Sequence, residues 1–388
     1  MCRQKAMSSD DVEGTSQDLI PGIPNDLTWS KIVPKLSWRA LQILPSVSRA
    51  WCDAIQSRQV YNVRARDPST ETLVLVNYAF STDSRTFCNG IAVYSMSDNT
   101  FIALPPIPNG SLGFSEGCQS VSLGGRIYVL GGQFRGSCNV YALDLNVPKQ
   151  WRRCANMIDP RAGFGCSVMD GKIYAFGGSR CNEILVLESE VYDSKTDTWS
   201  SISPRPTRMR FCVRVENMGD EFLLLHHFDP AVDDDPDSST VGPKMFDVYN
   251  PATDEWRFLM LKRTPAGLKP LFFMAQGRLH WMSRTNPFNI NVHNADDNSW
   301  TLLQSSSFVS FGSVDSILVK PLTVLAVNDE LLAVVHWSSR HDTKTNGFCL
   351  ARSKGLGSEA TEIEWRKVVD LTHRDKKFTG FSMHSFEL

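Results

Sequence analysis

Short runs of alternating apolar and polar residues, broken by glycines and polar turns, fill the chain from about residue 70 onward. Residues 161–169, 172–176, 190–192 and 198–202 are four such runs, separated by Gly171, by Gly177-Gly178 and by the polar stretch 193–197. Period-two alternation between turn formers predicts strands rather than helices, so this stretch predicts one four-stranded antiparallel sheet. The pattern repeats. Val-Tyr recurs at Val93-Tyr94, Val140-Tyr141, Val191-Tyr192 and Val248-Tyr249, with Val292-His293 as a variant. A second aromatic follows seven residues later in four copies, at Phe101, Trp199, Trp256 and Trp300, whereas Trp151 follows Tyr141 by ten. A weaker sixth copy ends at Trp365, and the closing aromatics are spaced by 50, 48, 57, 44 and 65 residues.

One isolated sheet leaves an apolar face in water, and packing such sheets around an axis removes that exposure. The expectation is a mainly β protein, a six-bladed β-propeller over residues 67–388. Residues 72–78 look like the second strand of a unit, whereas Gly380-Phe381-Ser382-Met383 resembles the first-strand segment Gly163-Phe164-Gly165-Cys166. The C-terminal tail is therefore expected to complete blade one and tie the two ends of the ring together.

Residues 19–66 follow a different period. Pro24, Asn25 and Asp26 suit a helix start, with Leu27, Ile32 and Leu36 on one face, and Pro34 ends or kinks that helix. Leu41, Leu44, Val47, Trp51 and Ile55 recur at three and four residues, an amphipathic stripe. A small all-α module is expected here, preceded by an unstructured segment over residues 1–18.

Composition narrows the function. Forty basic and 42 acidic residues leave a net charge of −2, which gives no electrostatic reason to expect nucleic acid or a membrane as partner. Residues 1–18 lack the basic and apolar regions of a secretory signal, and no apolar run reaches the roughly 18 residues that cross a bilayer. The ten cysteines are dispersed without a C-x-x-C pair, as expected of buried thiols in the cytosol or nucleus. The eight histidines form no metal-ligand set by spacing, and the acidic residues 233–237 lack the calcium-loop pattern. Catalysis is not expected and no cofactor is implied.

Gly131-Gly132 with Tyr141 and Trp151, and Gly177-Gly178 with Tyr192 and Trp199, resemble the double glycine, tyrosine and tryptophan of kelch repeats, whose period is roughly 50 residues. Residues 19–27, with Val47-Ser48-Arg49-Ala50-Trp51 and Ile55, resemble the F-box of plant F-box/kelch proteins. The resemblance implies a substrate-recognition subunit of a Skp–cullin–F-box ubiquitin ligase. The F-box would dock a Skp-type adaptor through Pro24, Leu27, Ile32, Leu36, Leu41, Val47 and Trp51, the alternative for the apolar ones, Trp51 above all, being the small module's own core, and Lys31 and Pro34 depart from the usual apolar first helix. The alternative is a kelch scaffold with no ligase role.

A propeller places its second-to-third-strand loops and its interblade connections on one face. Arg135, Arg180, Arg284 and Arg340 fall after second strands, and Arg161 and Arg210 just before first strands. With Phe134, His227 and Trp337 as anchors, they are the expected target-binding face, suited to a carboxylate-rich or phosphorylated segment; the alternative is that the arginines, Arg161 after its proline above all, pair with acidic neighbours in adjacent blades.

Overall fold

The computed structural model describes residues 18–57, 59–64, 66–67, 71–81, 87–107, 117–132, 136–145, 150–180, 184–206, 212–226, 244–261, 265, 271–283, 289–305, 317–339, 346–354, 362–371 and 377–387. The chain divides into two compact units, Met1–Glu71 with Leu388, and Thr72–Glu387. Most of the segment expected to be unstructured, residues 1–17, lies outside the described residues, as do the acidic residues 233–237.

In the first unit, α1 begins at Asn25–Leu27 after Pro24 and continues as a π-turn over Thr28–Ile32 and a 3-10 turn over Val33–Lys35. Pro34, in that last turn, lacks the N–H needed to prolong the helix, and the backbone is extended at Leu36. Two helices follow, α2 (Trp38–Ile43) and α3 (Arg49–Gln56), with a 3-10 turn over Leu44–Ser46 between them. The stripe from Leu41 to Ile55 is thus carried by two helices, because Pro45 interrupts it. Ser37 and Ser48 accept from the N–H groups of Ala40 (3.3 Å) and Trp51 (3.2 Å), which caps each start. Glu71 accepts from the N–H of Trp38 at 2.6 Å and so anchors the end of the unit to α2. The last helix is α4 (Gln59–Arg64).

The second unit is a six-bladed propeller of four-stranded sheets, two of them joined into one eight-stranded sheet. Blade one holds β1 (Thr72–Ser81), β2 (Phe87–Ser95) and β3 (Thr100–Ala103). Blade two holds β4 (Cys118–Leu123), β5 (Arg126–Gly131), β6 (Val140–Asp144) and β7 (Trp151–Arg153). Blade three is built from β8 (Gly165–Met169), β9 (Lys172–Phe176), β12 (Ser189–Asp193) and β13 (Thr198–Ser201), with a small hairpin of β10 (Ser179–Arg180) and β11 (Ile184–Leu185) inserted. Blade four holds β14 (Cys212–Met218), β15 (Glu221–His226), β16 (Lys244–Asn250) and β17 (Glu255–Leu261). Blade five holds β18 (Leu271–Ala275), β19 (Arg278–Met282), β20 (Asn289–Asn294) and β21 (Ser299–Ser305). Blade six holds β22 (Ile317–Val327), β23 (Glu330–Ser339), β24 (Asn346–Lys354) and β25 (Glu362–Asp370). The final strand β26 (Lys377–Glu387) runs antiparallel to β1, from Thr72 opposite Glu387 to Ser81 opposite Lys377, and stands first in blade one. The first strands neighbour one another in a closed cycle, β26, β4, β8, β14, β18, β22 and back to β26.

Among the described residues, apolar faces meet at five of the six seams. Val76 and Tyr94 of blade one pack with Leu332 and Val334 of blade six, and Tyr128 and Leu130 of blade two with Phe164 and Ala175 of the blade-three side. Phe176 meets Phe222 at 5.4 Å between blades three and four, Phe246 meets Phe272 at 5.2 Å between four and five, and Phe273 and Trp365 share the core between five and six. Blades one and two are bridged by Asn77 Nδ2 donating to Ser120 Oγ at 2.5 Å. Most of these side chains are fully buried, and such burial is the main term favouring the ring.

The seven-residue spacing has a structural cause. Tyr94 lies opposite Phe101, Tyr192 opposite Trp199, Tyr249 opposite Trp256 and His293 opposite Trp300 in the third-to-fourth-strand hairpins. Five residues after each Tyr or His stands an Asn or Asp with φ between 52° and 56°: Asn99, Asp197, Asp254 and Asn298. These residue types tolerate the left-handed region because their short polar side chain bonds locally. Tyr94, Tyr192 and Tyr249 donate their hydroxyls to Asn99 (2.9 Å), Asp197 (2.6 Å) and Asp254 (2.7 Å). The same carboxylates cross to the preceding blade, Asp197 accepting from Ala155 N at 3.0 Å and Asp254 from Ser203 N at 2.9 Å. These donors hold both carboxyls below their ordinary range, the backbone N–H being the larger cause. The closing tryptophans also reach the preceding blade, Trp199 Nε1 to Ala155 O (3.1 Å) and Trp256 Nε1 to Ser203 O (2.9 Å) at the same two seams and Trp151 Nε1 to Pro105 O (2.8 Å) between blades one and two.

Blade two corrects the sequence reading. Trp151 lies opposite Leu143, not Tyr141, so the buried Leu143 takes the place of Tyr192, and the ten-residue spacing is a shift of two positions plus one extra residue between the paired positions.

Candidate functional site

Each unit carries its own candidate surface. In the helical unit, Val33, Leu41, Trp51, Ile55 and Val60 make the core, with Leu36 and Leu44 packed against it. Leu41 (1% exposed) and Trp51 (5%) therefore cannot meet an adaptor, which corrects their assignment: on so small a unit the apolar stripe is consumed by the unit's own core. Ile32 and Leu36 are half-buried. Pro24 is exposed, and Leu27 and Val47 are 47% and 64% exposed. Ile43, absent from the sequence-derived set, is 56% exposed. Its signal was available, since it is an apolar residue lying off the three-and-four stripe of its helix.

The core is closed by a buried cation that sequence reasoning also missed. Arg64 Nη1 donates to the carbonyls of Val33 (3.3 Å), Pro34 (3.4 Å) and Leu36, so it satisfies acceptors left open where α1 ends. Burial pulls its pKa down and the Glu71 carboxylate opposes that shift.

On the propeller, Phe134, Arg135, Arg210, His227, Arg284 and Arg340 lie outside the described residues. Arg161 is not a surface cation but a fully buried one. Its Nε donates to Glu190 Oε1 at 2.7 Å and its Nη1 to the carbonyls of Gly177 and Glu188, both at 2.7 Å. This corrects its place on the target face. The next blade repeats the device with Arg205, which follows Pro204 as Arg161 follows Pro160 and pairs with the buried Asp247 at 2.5 Å. Arg180 is exposed and lies 3.6 Å from Asp159. Trp337 is half-buried against the core between blades five and six, with Lys367 Nζ 5.8 Å from its ring centre.

The double glycines serve the Arg161 segment. Gly131 and Gly178 have φ of 64° and 98°, and a Cβ on either would fall within 3.0 Å of the Arg161 or Ala162 carbonyl. Their lack of a side chain lets the connection between blades two and three lie against the ends of β5 and β9.

Burial pushes the Cys118 thiol up to about 12 and raises Cys154 and Cys166 as well, so none is a ready thiolate. Among the described residues, no group of three or more His, Cys, Asp or Glu converges to hold a metal.

A family profile described as Kelch motif matches residues 116–158 and 160–183, which span blade two, the Arg161 connection and the first strands of blade three. Relatives from Arabidopsis thaliana include a putative F-box/kelch-repeat protein that is 25% identical over 303 residues, 75% of this chain and 80% of that one. A second F-box/kelch-repeat protein is 27% identical over 62% of this chain and 64% of its own length. The F-box/kelch-repeat protein SKIP30 is 30% identical over 48% of this chain and 54% of its own. The alignments with the latter two thus span less than two thirds of those relatives. The kelch-like repeats and the F-box-like helical unit, read separately from the sequence, are named together in these relatives, and the chain is similar to plant F-box/kelch-repeat proteins.

Proposed function

We propose that this protein is a substrate-recognition subunit of a Skp–cullin–F-box ubiquitin ligase, acting in the cytosol or nucleus without catalysis of its own. The observation that carries this reading is the division of apolar residues in the helical unit. Its core is complete with Val33, Leu41, Trp51, Ile55 and Val60, yet Leu27, Ile43 and Val47 stay about half or more exposed. Large apolar side chains that a unit leaves outside its own core mark a protein interface, here the adaptor's. The propeller then holds a target, whose lysines gain effective concentration near the conjugating enzyme, and positioning is the whole mechanism.

The test is binding of a purified Skp-type adaptor to the full-length protein. Leu27→Asp and Val47→Asp should each weaken adaptor binding about tenfold or more, with melting temperatures unchanged because both side chains face water. Leu41→Ala should instead lower stability by about 2–5 kcal/mol, as a core truncation does. A folded wild type that captures no adaptor overturns the ligase reading and leaves a kelch scaffold.

A further inference from the structure

We propose that Ile158, Ile184 and Arg180 form a docking patch between blades two and three for an extended segment of a partner protein bearing an apolar side chain next to a carboxylate. The proposal rests on the reading of the propeller as a recruiting surface. Ile158 and Ile184 are each 52% exposed. They are joined through polar neighbours: Asp159, next to Ile158, lies 3.6 Å from Arg180 Nη1, and Arg180 stands directly opposite Ile184 in the β10–β11 hairpin. Directly opposed residues of antiparallel strands share a face, so Arg180 and Ile184 point the same way.

The patch is held rigidly from beneath. The buried Glu190 carboxylate accepts from Ile158 N (2.7 Å) and Asp159 N (3.5 Å) as well as from Arg161 Nε. Ala162 and Ser179 exchange backbone bonds of 2.9 and 2.8 Å, and Arg161 pairs likewise with Ser137. A surface ordered before binding has little entropy left to lose when a partner arrives. The connection carrying Ile158 is also long, ten residues from Trp151 to Arg161 against six from Trp199 to Arg205, although both deliver an arginine to the same buried pairing.

The partner's chemistry follows from charge and from the strand edge. Asp159 is divided between Arg180 and Arg161, the latter at 3.9 Å, and the Arg180 side chain is 45% exposed. A guanidinium with five donors so placed has room for a second carboxylate. β11 is the outer strand of its two-stranded sheet among the described residues, an edge that an extended segment can join.

A phage-displayed random dodecapeptide library, selected on the full-length protein and counter-selected on the full-length Ile158→Asp/Ile184→Asp variant, tests this. Enriched peptides should share an aliphatic or aromatic residue adjacent to Asp or Glu. Synthetic copies should lose about tenfold or more in affinity with either isoleucine variant and severalfold with Arg180→Ala. The milder pair Ile158→Ser/Ile184→Ser, with an unchanged melting temperature, guards against misfolding. No enrichment over the counter-selection, or enriched peptides that bind the variants as well as the wild type, overturns the patch. Adaptor binding of the same variants separates the readings: a wild type that selects such peptides yet binds no adaptor sinks the ligase role and keeps the patch.

Discussion

Blades three and four and blades five and six reach the same seam burial by different chemistry. In the first pair each third strand presents a tyrosine to a left-handed aspartate, and a buried arginine from the preceding connection neutralises a buried acid, Arg161 with Glu190 and Arg205 with Asp247. In blade five the tyrosine is His293, the aspartate is Asn298 at 3.2 Å, and the position of the buried acid is taken by Asn291. Blade six has Ser353 opposite the closing Trp365, with both fully or almost fully buried. Blade six places its ion pair elsewhere, Glu330 of β23 with Arg352 of β24, whose Nη1 also donates to Met96 O of blade one at 2.7 Å. Its first two strands are long, β22 over Ile317–Val327 and β23 over Glu330–Ser339, and β21 pairs in parallel with β25 at Gln304–Glu362 and Ser305–Ile363. The lesson is that the ring requires each seam to be closed, not that it be closed by the same side chains.

Breaking the fully buried ion pair of blade four should have the largest effect. Arg205→Ala leaves Asp247 buried without its cation and should cost about 3–5 kcal/mol in equilibrium denaturation, whereas Asn291→Ala in blade five should cost about 1 kcal/mol. Equal losses would erase the contrast. Next comes acid. His280 in β19 is buried and stacked on Phe273 at 5.2 Å, and desolvation lowers its pKa from 6.5 to about 4. The unfolded chain therefore binds more protons between those values, so stability falls as pH drops from 6.5 toward 4, by up to about 3 kcal/mol. Melting temperatures across that range should fall less in His280→Phe, and parallel curves would dismiss this histidine as the cause.

A smaller effect is expected at the seam aspartates. Asp254→Ala removes the acceptor of Tyr249 and Ser203 and should cost about 1–2 kcal/mol. Because Asp254 is held below its ordinary range, its contribution is present above that range and lost as pH falls through the depressed value, so wild type and variant should converge in acid. Smallest is Trp256→Phe, which keeps an aromatic side chain but loses the indole N–H bond to Ser203 O and some packed volume, and should cost about 1 kcal/mol; no change in denaturation midpoint would show that bond to be replaced by water.

Much of the architecture was legible because a propeller repeats one sheet. The spaced aromatics located the third-to-fourth-strand hairpins, and their count matched the six blades. An Asn or Asp stands two residues before the closing aromatic in four of the six copies, Asn99, Asp197, Asp254 and Asn298, and carries the positive φ that goes with the spacing of seven. The site was less legible. Arg161 read as a surface cation because an arginine after proline looks the same whether its partner lies in water or in the core, and Glu190 is 29 residues away. Leu41 and Trp51 were placed against an adaptor by the F-box resemblance, and the amphipathic stripe they lie on could not decide this, because it marks a face without saying what covers it.

The sequence by itself determined the β period, the number of sheets and the separate helical stretch, since these depend on local alternation and on the distance between repeats. Only the tertiary structure decided which arginines are buried, which apolar residues the helical unit leaves exposed, and that Leu143 rather than Tyr141 meets Trp151. Burial and register are set by groups distant along the chain that become neighbours on folding, and a pattern read one segment at a time does not contain them.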